Sequence, residues 1–143
     1  MRFMVLVKAN KDSEAGILPD DKAIVRMGKF NEQLMKAGVL LAGEGLHASS
    51  KGARIKFTPG GKTTVTDGPF AETKELLAGF WMVQMKSRDE VIEWFKRCPP
   101  DVGEIEIRQV FDAADFEPVI TTDEGRATMA AEEEFRNRAK KGA

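Results

Sequence analysis

Apolar and polar positions along this chain switch between a period of two and a period near 3.6, and the switches mark its elements. Phe3-Met4-Val5-Leu6-Val7 is a short apolar run that gives way to the turn-forming cluster Asn10 to Gly16, the pattern of a strand leaving a sheet for a surface loop. Pro19, Asp20 and Asp21 suit a first helical turn, because proline gives up no needed donor there and carboxylates favour the positive end of the helix dipole. Ala23, Met27, Phe30, Leu34 and Ala37 then fall on one helical face, and Gly38 stands where a left-handed cap is needed, so the spacing predicts a helix over 19–37. Val39 to Ala42 reads as a second strand, ending in Gly43-Glu44-Gly45-Leu46 and a polar loop through His47, Ser49, Ser50 and Gly52. Ile55 and Phe57 alternate with Arg54 and Lys56, Pro59-Gly60-Gly61 turns the chain, and Thr63 and Val65 resume the period of two, which predicts a hairpin with one wet face. A strand over 79–85 leads to Ser87 and Glu90, a capping box opening a helix with Val91, Phe95 and Cys98 on one face. Pro99-Pro100 stops that helix, and Ile105 and Ile107 alternate with charged neighbours in a last strand.

Elements in the order β-α-β, hairpin, β-α-β describe an α+β fold: a ferredoxin-like antiparallel sheet with two helices on one face and an inserted β-hairpin. Along the first strand Phe3, Val5 and Val7 point one way and Met4 and Leu6 the other, while Trp81, Val83 and Met85 oppose Phe80 and Met82. Both faces are apolar, and two helices shield only one. Leaving large side chains in water forfeits roughly 1.5–3 kcal/mol for each that a partner would bury, so the pattern predicts a homodimer with its sheets face to face, a dimeric α+β barrel. Residues 1–111 form the domain on this reading, and 112–143 a partly helical C-terminal arm ending in a charged stretch from Arg126 to Lys141.

Composition narrows the partners. A chain of 143 residues, 42% hydrophobic and 31% charged, suits one soluble core, and a net charge of −1 gives no electrostatic reason to expect nucleic acid. The single cysteine, Cys98, excludes an intrachain disulfide and points to a reducing compartment, hence the cytoplasm. Phe3 to Val7 is too short for a signal-peptide core or a membrane span. One histidine, His47, offers no ligand spacing, so no metal is expected. Without a P-loop, dinucleotide fingerprint or serine elbow, no cofactor is expected either.

The segment Thr66-Asp67-Gly68-Pro69-Phe70-Ala71-Glu72-Thr73-Lys74-Glu75 resembles the signature of the DGPF-motif branch of the YCII-related proteins, and Gly43-Glu44-Gly45-Leu46, Gly79-Phe80 and Glu106-Ile107-Arg108 fall where that family has its other recurring features. The resemblance covers about Met1 to Phe111 and extends more loosely to Phe116. It implies a bacterial protein with the same dimeric fold and, because DGPF proteins often accompany extracytoplasmic-function sigma factors, an indirect link to such a factor. Many YCII-related proteins carry a His and Asp pair that has made them candidate enzymes. Here His47 follows the second strand and does not lie on the first helix, so that histidine role is not carried over.

Chemistry converges on two carboxylates. If strand directions alternate through the meander, Glu44 and Asp67 emerge at the same end of the sheet, where a shared cavity would split their pKa values into an acid and a base for a small-molecule reaction. Asp67 has a second, more ordinary role open to it, since aspartate before Gly-Pro commonly accepts backbone hydrogen bonds in an Asx turn, with glycine supplying unusual dihedrals. Glu44 also reads as a solvated loop residue. His47, Lys74 and Phe70 are secondary ligand-binding candidates, Lys74 as a complement to an anionic ligand. Cys98 reads as a small hydrophobe and not a nucleophile. A non-catalytic metabolite-binding or protein-interaction module is the competing function.

Overall fold

A computed structural model describes residues 1–142. In chain order the elements are β1 (Arg2–Lys8), a four-residue α1 (Lys11–Glu14), α2 (Asp21–Lys36), β2 (Leu40–Gly45), β3 (Ala53–Thr58), β4 (Lys62–Asp67), β5 (Leu77–Gln84), α3 (Arg88–Phe95), β6 (Ile105–Gln109), α4 (Ala113–Phe116) and α5 (Asp123–Lys141). Four strands form one antiparallel sheet in the order β2-β5-β1-β6, the ferredoxin-like arrangement.

The period-two alternation of β1 and β5 decides where the core sits. Phe3 and Val5 from β1, with Trp81, Val83 and Met85 from β5 and its end, meet Phe30 and Leu34 of α2 and Val91 and Phe95 of α3. Phe30, Trp81 and Phe95 pack edge to face with ring centroids 5.2–6.1 Å apart. The Trp81 indole N–H donates to Asn31 Oδ1 at 2.8 Å, so its polar handle is satisfied where the ring is buried. The opposite residues, Met4, Leu6, Phe80 and Met82, are only half-buried.

Several local expectations shift. The helix starts after Asp20, whose side chain accepts from the Ala23 N–H and makes it the N-cap, so Pro19 stands outside. At the other end Gly38 takes the left-handed cap conformation as expected, with φ +72°. Asn10 to Gly16 is not simple loop: Asn10 and Ser13 cap each other around α1. The Ser87 hydroxyl accepts from the Glu90 N–H as predicted, but the Glu90 carboxylate reaches the Lys86 N–H and not that of Ser87. β2 runs on through Gly45, which places Glu44 within a strand and not in a loop. The glycines explain why: a Cβ on Gly43 would press on the Trp81 ring at 3.1 Å, and one on Gly79 would come within 2.9 Å of the Glu44 carbonyl.

The hairpin departs furthest. β3 and β4 pair only with each other, a separate two-stranded ribbon. Ile55, Phe57 and Val65 share one of its faces by register, yet are 58%, 78% and 63% exposed. Both faces of the ribbon are therefore wet.

From Val110 onward the chain forms a second compact unit containing α4 and α5. The Thr122 hydroxyl caps α5 by accepting from the Gly125 N–H at 3.0 Å, and i, i+4 pairs such as Arg136 with Glu132 support its exposed length. No helix among the described residues is long and apolar enough to cross a membrane.

Candidate functional site

Three segments far apart in sequence meet at the turn that follows β4. Asp67 ends β4 opposite Ala53, and the chain then passes through Gly68 and a cis bond to Pro69 before Phe70. Gly68 does not occupy the left-handed region; its glycine identity answers a space requirement. A Cβ built on it would overlap the carbonyl oxygen of Ser49, while its N–H donates to the Gly52 carbonyl at 3.0 Å. The Ser49 hydroxyl in turn accepts from the Phe70 N–H at 3.1 Å. Ser49 thus holds the turn from both sides.

Ser49 is itself held by Glu14, the last residue of α1. One carboxylate oxygen of Glu14 accepts from the Ser49 N–H at 2.9 Å, and the other from the Ser49 hydroxyl. These two bonds favour the ionised form and hold the Glu14 carboxyl below the usual value of 4.5. The ring of Phe70 packs beneath the Arg54 guanidinium of β3, 3.9 Å from its centroid, which ties the ribbon to the same turn. Just beyond, Glu72 takes a left-handed conformation with φ 62°, uncommon for a residue with a side chain.

Against this lattice the Asp67 carboxylate is exposed and accepts no hydrogen bond from any described residue. The Asx role is therefore not the one it plays; Gly68, Pro69 and Ser49 make the turn. Glu44 sits on β2 opposite Phe80, which by register sets it on the sheet face that the helices leave open. The two carboxylates arise from two different sheets, and not from two strands of one meander, because the ribbon pairs separately. His47 and Lys74 are exposed, the latter in a 3₁₀ turn over Thr73–Glu75. Among the described residues no group of three His, Cys, Asp or Glu side chains is placed to hold a metal. Burial pushes the Cys98 thiol up to about 11, the behaviour of a small hydrophobe and not a nucleophile.

Glu14 and Ser49 had no local signal. Each lies in a polar stretch that reads as loop, and the bonds between them span 35 residues of sequence.

The family model of the YCII-related domain matches residues 1–114. A protein of Rhizobium meliloti (strain 1021), "Uncharacterized protein R00369", is 30% identical over 92 residues, which is 62% of this chain and 73% of that protein. Among solved structures, the 5-chloro-2-hydroxyhydroquinone dehydrochlorinase TftG from Burkholderia phenoliruptrix AC1100, in complex with 2,5-dihydroxybenzoquinone, aligns over 78% of this chain and 94% of its own at 14% identity and a TM-score of 0.43.

Proposed function

The chain belongs to the YCII-related domain family, and from that premise we propose that it is a homodimeric enzyme acting on a small molecule, with Asp67 as its acid/base group and Glu44 as a second carboxylate. One observation carries this reading. The turn after β4 is fixed by backbone packing and by the Ser49 hydroxyl, so it does not need the Asp67 side chain, and yet it presents that side chain with its oxygens uncommitted. A carboxylate held by a rigid main chain and free of internal partners is suited to take a proton from a bound molecule and return it later in the same turnover.

Dimerisation rests on the open sheet face. Met4, Leu6, Phe80 and Met82 form an apolar centre there, bordered by Glu44 on one side and on the other by Glu106, which pairs with Lys8 and Arg108 at 3.4 Å. A second copy covering this centre puts Glu44 at the margin of the shared interface. A single half-buried cysteine and no membrane-length helix among the described residues fit a cytoplasmic site of action.

A second reading, a non-catalytic protein-interaction module of the kind associated with sigma-factor regulation, is favoured by the exposure of Phe111, Val119 and Phe135 in the C-terminal unit.

A thermal-shift screen of metabolites separates the two. A small molecule that binds the folded state raises the melting temperature by mass action. Turnover of that molecule is expected to be lost in Asp67→Asn while dimer and melting temperature persist. Undiminished turnover by Asp67→Asn removes Asp67 from the mechanism.

A further inference from the structure

We propose that Glu14 and Ser49 are positioning residues for Asp67, acting through a one-way chain of hydrogen bonds that sets where the turn after β4 holds its carboxylate. The proposal rests on the acid/base reading of Asp67. An ionised carboxylate is acceptor-only, so Glu14 obliges the Ser49 hydroxyl to spend its single proton on it. That leaves the hydroxyl oxygen with lone pairs for the Phe70 N–H, three residues beyond Asp67. The direction runs from Phe70 N–H to Ser49 Oγ–H to Glu14, and the second Glu14 oxygen pins the Ser49 main chain through its N–H.

Main-chain pinning matters because the Ser49 carbonyl is the surface against which Gly68 packs, with no room for a side-chain atom between them. Moving Ser49 moves Gly68, and Asp67 is the residue attached to Gly68. A loop clip needs a hydrogen bond; it does not need one carboxylate to fix both the rotamer and the backbone of the same serine while that serine grips the turn at two points. Glu14 touches no part of the turn directly in the bonds described, so it acts through Ser49.

The test uses the full chain, labelled so that the Asp67 carboxyl carbon and the Phe70 amide are both read by NMR, in wild type, Ser49→Ala, Ser49→Thr and Glu14→Gln. Loss of the bond to Phe70 is expected to speed exchange of its amide by roughly three- to tenfold in Ser49→Ala. The Asp67 carboxyl-carbon chemical shift, read at neutral pH, is expected to change in Ser49→Ala and in Glu14→Gln, and to return in Ser49→Thr, which keeps the hydroxyl. Faster amide exchange with an unmoved Asp67 carboxyl-carbon shift reduces the pair to a structural clip and overturns the proposal; unchanged values of both overturn it too. Should Ser49→Ala not fold, Glu14→Gln decides by the same two readouts. If instead the Asp67 carboxyl-carbon shift responds as expected but Asp67→Asn retains turnover, the acid/base reading fails while the positional coupling stands.

Discussion

Gly68 and Glu14 are tied to the same serine for opposite reasons, one by lacking a side chain and the other by what its side chain accepts. Because a Cβ at position 68 collides with main chain and not with a flexible side-chain tip, Gly68→Ala forces a backbone shift. Such overpacking costs about 1–3 kcal/mol, to be read as a lower denaturation midpoint together with a faster-exchanging Phe70 amide. Glu14 predicts a pH response. Its folded-state carboxyl is held below 4.5 by Ser49, so the stability it contributes is fully present above that ordinary value and disappears as pH falls through the lowered one. Protection of the Phe70 amide is expected to weaken over that acid range in wild type. In Ser49→Ala, which removes the hydroxyl bond, the larger cause of the lowered value, and keeps the backbone N–H bond, the Glu14 titration should move part of the way back toward 4.5.

Elements here are set by local signals where their ends are capped by neighbours in sequence, and by long-range packing where they are not. α3 belongs to the first kind: Ser87 caps it and Glu90 closes over the preceding N–H. Ser87→Ala is expected to cost about 1 kcal/mol, measurable as a shift in denaturation midpoint with an unchanged slope, because only the orphan N–H groups of the first turn lose a partner. β2 belongs to the second kind. Gly43-Glu44-Gly45 has the composition of a loop, yet it is a strand paired with β5, where Gly43 makes room for the Trp81 ring and the missing side chain of Gly79 makes room for the Glu44 carbonyl. The ribbon of β3 and β4 has the alternation of a half-buried hairpin, and its pairing and register follow that pattern. Its burial does not, since no element of the described chain packs on Ile55, Phe57 or Val65.

At the scale of the molecule, the sheet separates a finished face from an unfinished one. The helix-covered side holds the buried core; the other presents Met4, Leu6, Phe80 and Met82 at half burial. Leu6→Glu puts a charge in the middle of that open face, between Phe80 and Glu106, without touching the core beneath α2 and α3. If two copies meet there, the variant is expected to sediment as a folded monomer where the wild type sediments as a dimer. An unchanged sedimentation coefficient between the two would move the interface elsewhere.

Phe3, Val5, Trp81 and Val83 announce their burial by alternation, Phe30, Leu34, Val91 and Phe95 by helical spacing, and Gly38 and Ser87 mark helix ends, so the sequence by itself determines the strands, the helices and the side of the sheet they share. Those signals are local, because the periods of strand and helix and the chemistry of caps act within a few residues. Asp67 and its Gly-Pro turn are visible in the same way. What that aspartate is free to do was decided only in three dimensions. Nothing near Ser49 or Glu14 in the sequence indicates that they grip this turn, because their contacts are made across tens of residues by the folding of α1, the β2–β3 loop and the ribbon onto one another. Likewise the separation of Glu44 from Asp67 into two sheets follows from which strands pair, and pairing is a property of the whole sheet and not of either strand's residues.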